Sequence, residues 1–222
     1  MREFDAFAGY PEPKEPRIVS ATHRTIHNRI AASARDKEFY DGDRRNGYGG
    51  MVDDGRWKPI AANIVKSYGL GTNSHVLQVG AHKGFLLNEL HKLGIRITGT
   101  ETSDYAISQS ETKLFKCSPT ELPFYDHVFD LVIAASAVYT LNLPDAIKFL
   151  KEVQRVTRGA SWITLGAYED ENDIEGLMLM RYWLLLGTTV LTKADWIAVM
   201  QHAGYSGDFR YDTAKSLNLR RT

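Results

Sequence analysis

"VLQVGAHKG", residues 76–84, is the stretch of sequence that decides the fold. A short apolar run leads into a loop with glycines at 80 and 84, and the helical pattern "FLLNEL" follows directly. Such a run is typical of a strand buried on both faces of a parallel sheet. We expect strand, loop and helix N-terminus here, an arrangement that brings backbone N–H groups close to a ligand. An ordinary tight turn would also use glycine, so the loop alone leaves both interpretations open.

Strand and helix patterns alternate from His75 to the end of the chain. Alternation with short connections predicts a mostly parallel sheet covered by helices on both faces, with ligands at the carboxyl ends of the strands. The sequence therefore predicts an α/β protein, built as a three-layer sandwich. The predicted strands cover 75–79, 95–100, 113–117, 129–136 and 161–168, the predicted helices cover 84–94, 103–111, 143–159, 173–187 and 192–205, and two short strands lie within 208–221.

The first 58 residues differ in composition from the rest of the chain. Residues 1–19 are rich in proline and charge, which favours an extended arm. Residues 39–57, "FYDGDRRNGYGGMVDDGRW", contain five glycines and predict a loop. Pro59 then suits the first turn of a helix. We expect an N-terminal arm and cap over 1–58 and the α/β domain over 59–222.

Composition limits the classes of protein to which this chain can belong. Its 222 residues are 43% hydrophobic, enough for one sizeable core. Lys plus Arg and Asp plus Glu both number 27, so the basic excess of nucleic-acid-binding proteins is missing. One cysteine, Cys117, cannot form a disulfide framework. The sequence shows no apolar leader and no run of ~20 apolar residues. We therefore expect a cytoplasmic protein with neither a nucleic-acid nor a membrane partner.

A second signal lies at the end of the next predicted strand. Glu101 follows Gly80 by 21 residues, a spacing that places a carboxylate where it accepts both hydroxyls of a ribose. The loop and the acid together indicate a site for a nucleoside cofactor. The dinucleotide pattern G-x-G-x-x-G fails at His82 and Phe85, and no P-loop motif occurs. A nicotinamide dehydrogenase stays a weaker alternative, which NADH fluorescence would reveal.

Four segments of the chain resemble the class I S-adenosylmethionine-dependent methyltransferases: "VLQVGAHKGFLLNEL", "GTETSDYAI", "LPFYDHVFDLVIAASAVYTL" and "LKEVQRVTRGASWITLGAY". They follow the order and spacing of that family over residues 60–210. "EFYDGDRRNGYGG" with "DGRW" is similar to the N-terminal segment of a bacterial small-molecule subgroup. The resemblance implies a Rossmann-like fold, a seven-stranded sheet with its last strand antiparallel, and S-adenosylmethionine as the cofactor.

The resemblance also implies roles for individual residues. The backbone of Gly80 and Gly84 is expected near the methionine and ribose portions of the cofactor, Glu101 on the ribose, and Thr102 beside the adenine. Ala135 ends the strand that passes beneath the sulfonium. The full set of predicted cofactor contacts is Gln78, Gly80, Ala81, His82, Gly84, Phe85, Glu101, Thr102, Ser118, Pro119 and Ala135.

Three of these residues depart from the pattern of the family. Gln78 replaces an acid that helps to hold the methionyl ammonium, and it can accept a hydrogen bond but brings no charge. His82 replaces a central glycine; histidine tolerates positive φ better than most residues, yet its ring enters the methionine pocket. Ser118 replaces an aspartate beside the adenine. These departures indicate either a retuned site or a methyltransferase-fold protein that acts as a binding or partner subunit.

Methyl transfer requires alignment of the acceptor and, for some acceptors, a base. Tyr139, where related proteins often have histidine, and Tyr48 are the predicted catalytic residues. Tyrosine, with an ordinary pKa of ~10, is better suited to positioning than to proton abstraction. Arg45, Tyr168 and Glu169 are the predicted substrate-binding residues.

No metal site is predicted, because His23 and His27 have metal-ligand spacing but no third ligand is evident. The sequence predicts methyl transfer from S-adenosylmethionine to a small polar acceptor, at oxygen or nitrogen, with S-adenosylhomocysteine as a product. The arginine-rich loop favours an anionic acceptor, and a homo-oligomer is left open.

Overall fold

The computed structural model describes residues 1–11 and 13–221. Its strands, in chain order, are β1 (Arg2–Glu3), β2 (Arg17–Val19), β3 (His75–Val79), β4 (Arg96–Glu101), β5 (Leu114–Lys116), β6 (Phe129–Ala134), β7 (Thr157–Tyr168), β8 (Leu191–Thr192), β9 (Asp208–Asp212) and β10 (Leu219–Arg221). Its helices are α1 (Ile26–Ser33), α2 (Lys37–Asp41), α3 (Trp57–Ser67), α4 (Phe85–Lys92), α5 (Asp104–Ser108), α6 (Leu143–Val156), α7 (Ile174–Trp183) and α8 (Lys193–Ala203).

The central sheet has the strand order β1–β9–β7–β6–β3–β4–β5, and β8 pairs with β7 at the side. Chain order reverses at β3, which has β4 on one side and β6 on the other. In sheets of this kind the ligand binds at such a reversal, outside the carboxyl ends of the strands. The structure confirms the predicted α/β fold with a mostly parallel sheet, and it places the glycine loop at the reversal.

The predicted antiparallel last strand is wrong, because β10, the last of the seven predicted strands, does not join the central sheet. The strand before it, β9, runs parallel to β7, with Trp162 opposite Asp208 and Gly166 opposite Asp212. α8 lies between β7 and β9, and such a helical crossover returns the chain in its original direction. After β9 the chain leaves this sheet, and β10 pairs with β2 instead. The edge beside β9 is filled by β1, from the other end of the chain.

Two helical layers cover the sheet and divide its residues between them. Leu77 and Val79 of β3 pack in a cluster with residues of α6 and α8, whereas Val76 packs with residues of α3 and α4. Successive side chains of a strand point to opposite faces, so a strand buried on both faces supplies both layers. The result is the predicted three-layer sandwich, with β3 at its centre.

The first residues of the chain pack against the sheet. Arg2, in β1, forms an ion pair with Asp208 at 2.6 Å. The indole N–H of Trp162 donates to the carbonyl of Phe4 at 2.8 Å, and the ring centroids of Phe7 and Trp162 are 4.6 Å apart. The predicted border between residues 58 and 59 lies inside α3, and the division into cap and domain stays a prediction.

Acidification should destabilise the fold through His75, the first residue of β3. Its imidazole is buried, with Nε2 2.8 Å from Thr98 Oγ1 and with Nδ1 unpaired among the described residues. Burial, followed by the charge of Arg96, lowers the pKa of His75 to about 4. The unfolded chain, with a histidine pKa of ~6.5, therefore binds the proton first. Stability present above that pKa is lost as the pH falls toward the folded value.

Both the wild type and His75→Gln should lose free energy of unfolding when the pH is lowered from 7 to 4.5. We expect the loss to be about 1–2 kcal/mol smaller in His75→Gln, a figure that allows for solvent screening. Glutamine can keep the hydrogen bond to Thr98 and does not titrate. Urea unfolding at both pH values measures the difference, and His91→Gln, at an exposed histidine, is the matched control. Equal losses in the wild type and His75→Gln would contradict a neutral His75.

Candidate functional site

Left-handed backbone conformations shape the glycine loop between β3 and α4. Gly80 and Gly84 have φ values of 71° and 78°, and His82 between them has a φ of 53°. Glycine adopts such angles without strain, and histidine adopts them more readily than most residues. The N–H groups of Gly80 and Ala81 both donate to the carbonyl of Thr100 at 2.9 Å. These two bonds tie the loop to the end of β4.

Glu101 is a buried carboxylate bonded to this loop, with only 2% of the residue exposed. Its Oε2 accepts the backbone N–H of His82 at 2.8 Å, and its Oε1 accepts those of Thr102 at 2.7 Å and Ser103 at 3.1 Å. Burial would raise the pKa of Glu101, but the His82 ring and the N–H donors outweigh burial and hold it below its ordinary value. The loop and an ionised acid therefore form one unit.

Gln78, two residues before Gly80, brings an unsatisfied acceptor to the start of the loop. It is 4% exposed, and its Oε1 has no hydrogen-bond partner among the described residues. A buried amide oxygen without a donor costs free energy, so this position favours a donor from outside the chain. Around the place where a Cβ on Gly80 would stand, the described residues put only the methyl group of Ala137 within 4 Å. The start of the loop thus combines open space with a free acceptor.

Residues 36–51, here called the covering segment, lie against the glycine loop. The hydroxyl of Tyr40 is 3.3 Å from Nδ1 of His82, and the hydroxyl of Tyr48 is 3.3 Å from Nε2. The two tyrosine rings stack with their centroids 5.8 Å apart. Burial lowers the pKa of His82 below its ordinary value, against the opposing charge of Glu101. A neutral imidazole donates one hydrogen bond and accepts one, so the two hydroxyls satisfy both of its nitrogens.

An ion pair between buried Lys83 and half-buried Asp41 connects the covering segment to the loop. Nζ of Lys83, a residue only 7% exposed, is 2.7 Å from both carboxylate oxygens of Asp41 and 2.9 Å from the carbonyl of Met51. Asp41 also accepts the hydroxyl of Tyr105 at 2.6 Å and the N–H of Met51 at 3.1 Å. The covering segment, the loop and α5 therefore share one hydrogen-bonded network.

Removing a tyrosine hydroxyl should loosen the covering segment. In Tyr48→Phe one nitrogen of the His82 imidazole loses its partner, and we expect the free energy of unfolding to fall by about 1 kcal/mol. Urea denaturation measures this change, and Tyr125→Phe is the control because Tyr125 is 88% exposed. In a His82→Ala background the effect of Tyr48→Phe should vanish. An undiminished loss in that background would show that the hydroxyl acts through another group.

The carboxyl ends of β6 and β7 form a second part of the site. Tyr139 lies in a short 3-10 helix after β6, and its ring packs on Gly166, where an added Cβ would stand 3.1 Å from the ring. Ser136 has a φ of 57° and donates its N–H to Oγ1 of Thr164 at 2.7 Å. Burial raises the pKa of Tyr139 well above its ordinary value. Its hydroxyl therefore stays protonated and suits positioning rather than proton abstraction.

Asp212, at the end of β9, is a buried carboxylate that the sequence reasoning missed. It is 6% exposed, and burial raises its pKa although Arg210 lies 2.9 Å away. The charge of Asp212 also raises the pKa of the Tyr139 hydroxyl. The rule that ligands bind at the carboxyl ends of parallel strands would have pointed to Asp212 if it had been applied to the first of the two strands predicted within 208–221. For Tyr40, Asp41 and Lys83, also missed, the sequence offered only their positions in or beside glycine-rich loops.

The structure brings part of the predicted site together. Close to the loop and its acid lie Gln78, Gly80, Ala81, His82, Gly84, Phe85, Glu101, Thr102 and Tyr48, while Ala135, Tyr139 and Tyr168 follow or end β6 and β7. Pro119 is half-buried beside Ser118, which is exposed and bonds to Thr120 Oγ1 at 2.8 Å. Arg45 pairs with Asp43 at 2.6 Å, and Glu169 pairs with Lys193 at 2.7 Å, both at the surface. The roles assigned to these residues stay predictions.

Two clefts open at this end of the sheet. One of about 420 Å³ lies beside Glu101, and it is lined by Ser33, Ala34, Arg35, Asp36, Thr102, Ser103, Asp104 and Tyr105. The other, of about 300 Å³, lies at the ends of β7 and β9, and it is lined by Glu169, Asp173, Glu175, Gly176, Leu179, Thr213, Ala214, Lys215, Asn218, Leu219 and Arg220. One cleft thus lies on the β4 side of the glycine loop, and the other lies on the β9 side.

Fold and site together define a class of protein. A sheet that reverses at β3, a glycine loop after that strand and a buried acid at the end of the next strand are the architecture with which α/β proteins bind a nucleoside cofactor. Residues 77–165 also match the sequence model of a family described as a methyltransferase domain. That match runs from β3 to β7 and so contains both the loop and the acid.

Solved structures share the fold. A proposed methyltransferase of Bacillus halodurans superposes with a TM-score of 0.56 at 17% identity, covering 65% of this chain and 68% of that one. The YcgJ protein of Bacillus subtilis gives 0.55 at 18% identity, with 64% and 66% covered. A chain from the complex of the Haloferax volcanii Trm112 methyltransferase activator with a proposed methyltransferase gives 0.51 at 20% identity, with 68% and 73% covered.

A curated relative is similar over a shorter stretch. The ribosomal RNA small subunit methyltransferase A of Thermotoga petrophila is 33% identical over 88 residues, which cover 40% of this chain and 34% of that protein. The matched part thus spans about a third of the relative's length.

Residues 77–165 thus match a methyltransferase domain, and the solved structures share its fold; both findings agree with the predicted resemblance to the class I S-adenosylmethionine-dependent methyltransferase superfamily. The cofactor of that superfamily is S-adenosylmethionine. Among the residues that the structure describes, no helix is both long enough and apolar enough to cross a membrane.

Proposed function

We propose that this protein transfers a methyl group from S-adenosylmethionine to a small polar acceptor, at oxygen or nitrogen, and releases S-adenosylhomocysteine. The observation that carries the proposal is the 2.8 Å hydrogen bond from the His82 N–H to Glu101. It joins the glycine loop to the acid at the next strand end, the two parts with which this architecture holds a ribose.

The residues present fit the cofactor on three counts. The free, buried Oε1 of Gln78 suits a donor such as the methionyl ammonium. The open space at Gly80 allows a ligand to approach the backbone closely. Oε2 of Glu101 accepts one hydrogen bond from the chain, so the ionised carboxylate keeps lone pairs for a ribose hydroxyl. Gln78, Gly80 and Glu101 are therefore the residues that we expect to hold the cofactor.

The bound cofactor supplies a methyl group activated on a sulfonium, and the chain supplies alignment. The protonated hydroxyls of Tyr48 and Tyr139 can each orient a polar acceptor by a hydrogen bond. Asp212, with its raised pKa, is the buried carboxylate suited to take a proton from an acceptor that carries one.

Cofactor binding requires the covering segment to move. Glu101 is 2% exposed, and Nδ1 of His82 is 3.8 Å from its Oε2. A ribose can reach the carboxylate only after the His82 ring and the tyrosines beside it have shifted. The structure therefore corresponds to a closed state, and the ion pair between Lys83 and Asp41 opposes opening.

The same closure favours a second candidate function, that of a binding or partner subunit without turnover. Glu101 already accepts three backbone N–H groups, and His82 stands beside it in place of a smaller residue. In that case the loop is a structural remnant, and neither S-adenosylmethionine nor S-adenosylhomocysteine should bind. NADH fluorescence, unchanged on adding the protein, would set aside a dehydrogenase.

A methyl-transfer assay tests the proposed reaction. The protein is incubated with methyl-labelled S-adenosylmethionine and a panel of small hydroxyl and amine compounds, and S-adenosylhomocysteine is measured. Ribosomal RNA, the substrate in the name of the curated relative, forms a separate arm. The net charge of zero favours the small compounds. Turnover with a small acceptor supports the proposal, whereas transfer to RNA alone would contradict the acceptor class.

A further inference from the structure

Three arginines surround the ring of Trp183, the last residue of α7. The guanidinium carbons of Arg24, Arg17 and Arg44 lie 4.5, 5.0 and 5.3 Å from the centroid of the Trp183 ring. The arginines come from separate parts of the chain, in β2, before α1 and in the covering segment. This arginine cluster is therefore a product of the tertiary structure rather than of a basic run in the sequence.

Within the described residues, the arginine cluster has no paired counter-charge. None of its three guanidiniums lies within 4.0 Å of a carboxylate of residues 1–11 or 13–221, whereas Arg45, next to Arg44, is paired with Asp43. Arg24 donates to the carbonyl of Trp183, and Arg44 donates to the carbonyl of Gly47. Arg24 is only 7% exposed, and its Nε is buried with no hydrogen-bond partner in the part of the chain that the structure describes. A buried charged donor left unpaired is a sign of a missing anionic partner.

The environment of the arginine cluster is strongly positive. Burial, followed by the charges of Arg44, Arg29 and Arg17, lowers the pKa of Arg24 to about 10. Burial also lowers the pKa of Arg17 and of Arg44. The groups that face them from neighbouring elements are the hydroxyls of Tyr10 and Tyr48 and the carboxyl of Asp212, which is already paired with Arg210.

We propose that Arg17, Arg24 and Arg44 bind the phosphate group of the acceptor, which is then a small phosphate ester. Guanidinium forks match phosphate oxygens in pairs, and three of them supply more charge than a single carboxylate needs. Trp183 packs in the same apolar cluster as Tyr139. Arg44 is close enough to Tyr48 for its charge to interact with the tyrosine hydroxyl. A phosphate held here leaves the rest of the ester on the side of the two predicted catalytic tyrosines. The proposal rests on the proposed function for the methyl transfer, but not for the binding of phosphate.

An RNA backbone carries the same chemical group, but the structure favours a small ester. The arginine cluster is compact around one indole and partly buried, whereas RNA binding uses basic residues spread along a surface. The rest of the chain supplies no excess of positive charge.

Titration with inorganic phosphate and with a small phosphate monoester tests the arginine cluster, with chloride at equal ionic strength as the reference. We expect saturable binding that raises the melting temperature of the wild type. Arg17→Gln and Arg44→Gln should each weaken phosphate binding at least tenfold, and Arg158→Gln, at an exposed arginine paired with Asp130, should leave it unchanged. Without phosphate, Arg17→Gln should melt at or above the wild-type temperature, because the change relieves repulsion between like charges. A purely structural role predicts a lower melting temperature instead.

Three results would overturn the proposal. The first is no saturable phosphate effect, and the second is equal weakening by Arg158→Gln. The third is an RNA oligonucleotide that binds through Arg17 and Arg44 more tightly than the monoester, with a steep salt dependence. Titration of S-adenosylhomocysteine on the same samples separates the two claims. Binding of S-adenosylhomocysteine without binding of phosphate refutes only the arginine cluster as a site. Binding of phosphate without binding of S-adenosylhomocysteine refutes the proposed function and leaves an anion site on a methyltransferase fold.

Discussion

Replacing Glu101 with alanine is expected to abolish detectable binding of S-adenosylhomocysteine. An ionised carboxylate contributes about 1.5–3 kcal/mol for each hydrogen bond, so the loss of two ribose bonds weakens binding by a factor of about 100 or more. The same change removes the acceptor for the N–H groups of His82, Thr102 and Ser103. We therefore expect the free energy of unfolding to fall by about 3 kcal/mol or more. Isothermal titration and urea unfolding measure the two effects.

A conservative variant separates binding from folding. Glu101→Gln keeps the size of the side chain and one acceptor oxygen, so it should fold with a smaller loss of stability and still bind at least tenfold more weakly. Glu111→Gln, at an exposed carboxylate, should change neither quantity. If folded Glu101→Gln binds as tightly as the wild type, this carboxylate does not hold the ribose.

Replacing Asp41 with alanine is expected to give the largest loss of stability from a single contact in the covering segment. The ammonium of Lys83, only 7% exposed, would lose its ion-pair partner, and the hydroxyl of Tyr105 would lose its acceptor. Breaking one half of a buried pair costs about 3–5 kcal/mol because it leaves an uncompensated charge. Urea unfolding measures this loss. Stopped-flow binding should show faster association of S-adenosylhomocysteine, since the covering segment opens more easily.

The double variant Asp41→Ala with Lys83→Met should recover at least about 1 kcal/mol relative to Asp41→Ala alone, because the unpaired charge is gone. Lys92→Met is the control, since it removes a lysine whose ion pair with Glu89 lies at the surface and should cost less than about 1 kcal/mol. If Asp41→Ala costs no more than Lys92→Met, the covering segment is not held by this pair.

The centre of the fold could be predicted because its signals are local. β3 occupies the predicted residues 75–79, since a short, mostly apolar run before a glycine loop is typical of a central strand buried on both faces. The glycine loop and Glu101 followed from their spacing alone. The end of α6 was predicted too late, just before Gly159, whereas the helix ends at Val156. That glycine lies within β7, where an added Cβ would stand 2.4 Å from the carbonyl oxygen of Asp130.

The rest depends on contacts between distant parts of the chain. β1 is two residues long and exists because it pairs with β9, which no periodicity near Arg2 reveals. Residues 39–57 were predicted only as a loop within the N-terminal cap, and the structure places Tyr48 of that loop on His82. Side chains of an irregular loop follow no period, so the sequence could not show that Arg45 turns to Asp43 while Arg44 joins Trp183.

The most direct test of the central claim is an isothermal titration of the wild-type protein with S-adenosylhomocysteine. An intact loop, an ionised Glu101 and the free acceptor of Gln78 predict saturable binding to one site per chain, with the heat lost in Glu101→Ala. If millimolar S-adenosylhomocysteine gives no heat, and S-adenosylmethionine gives none either, the account is contradicted. The His82 ring would then block the cofactor site permanently.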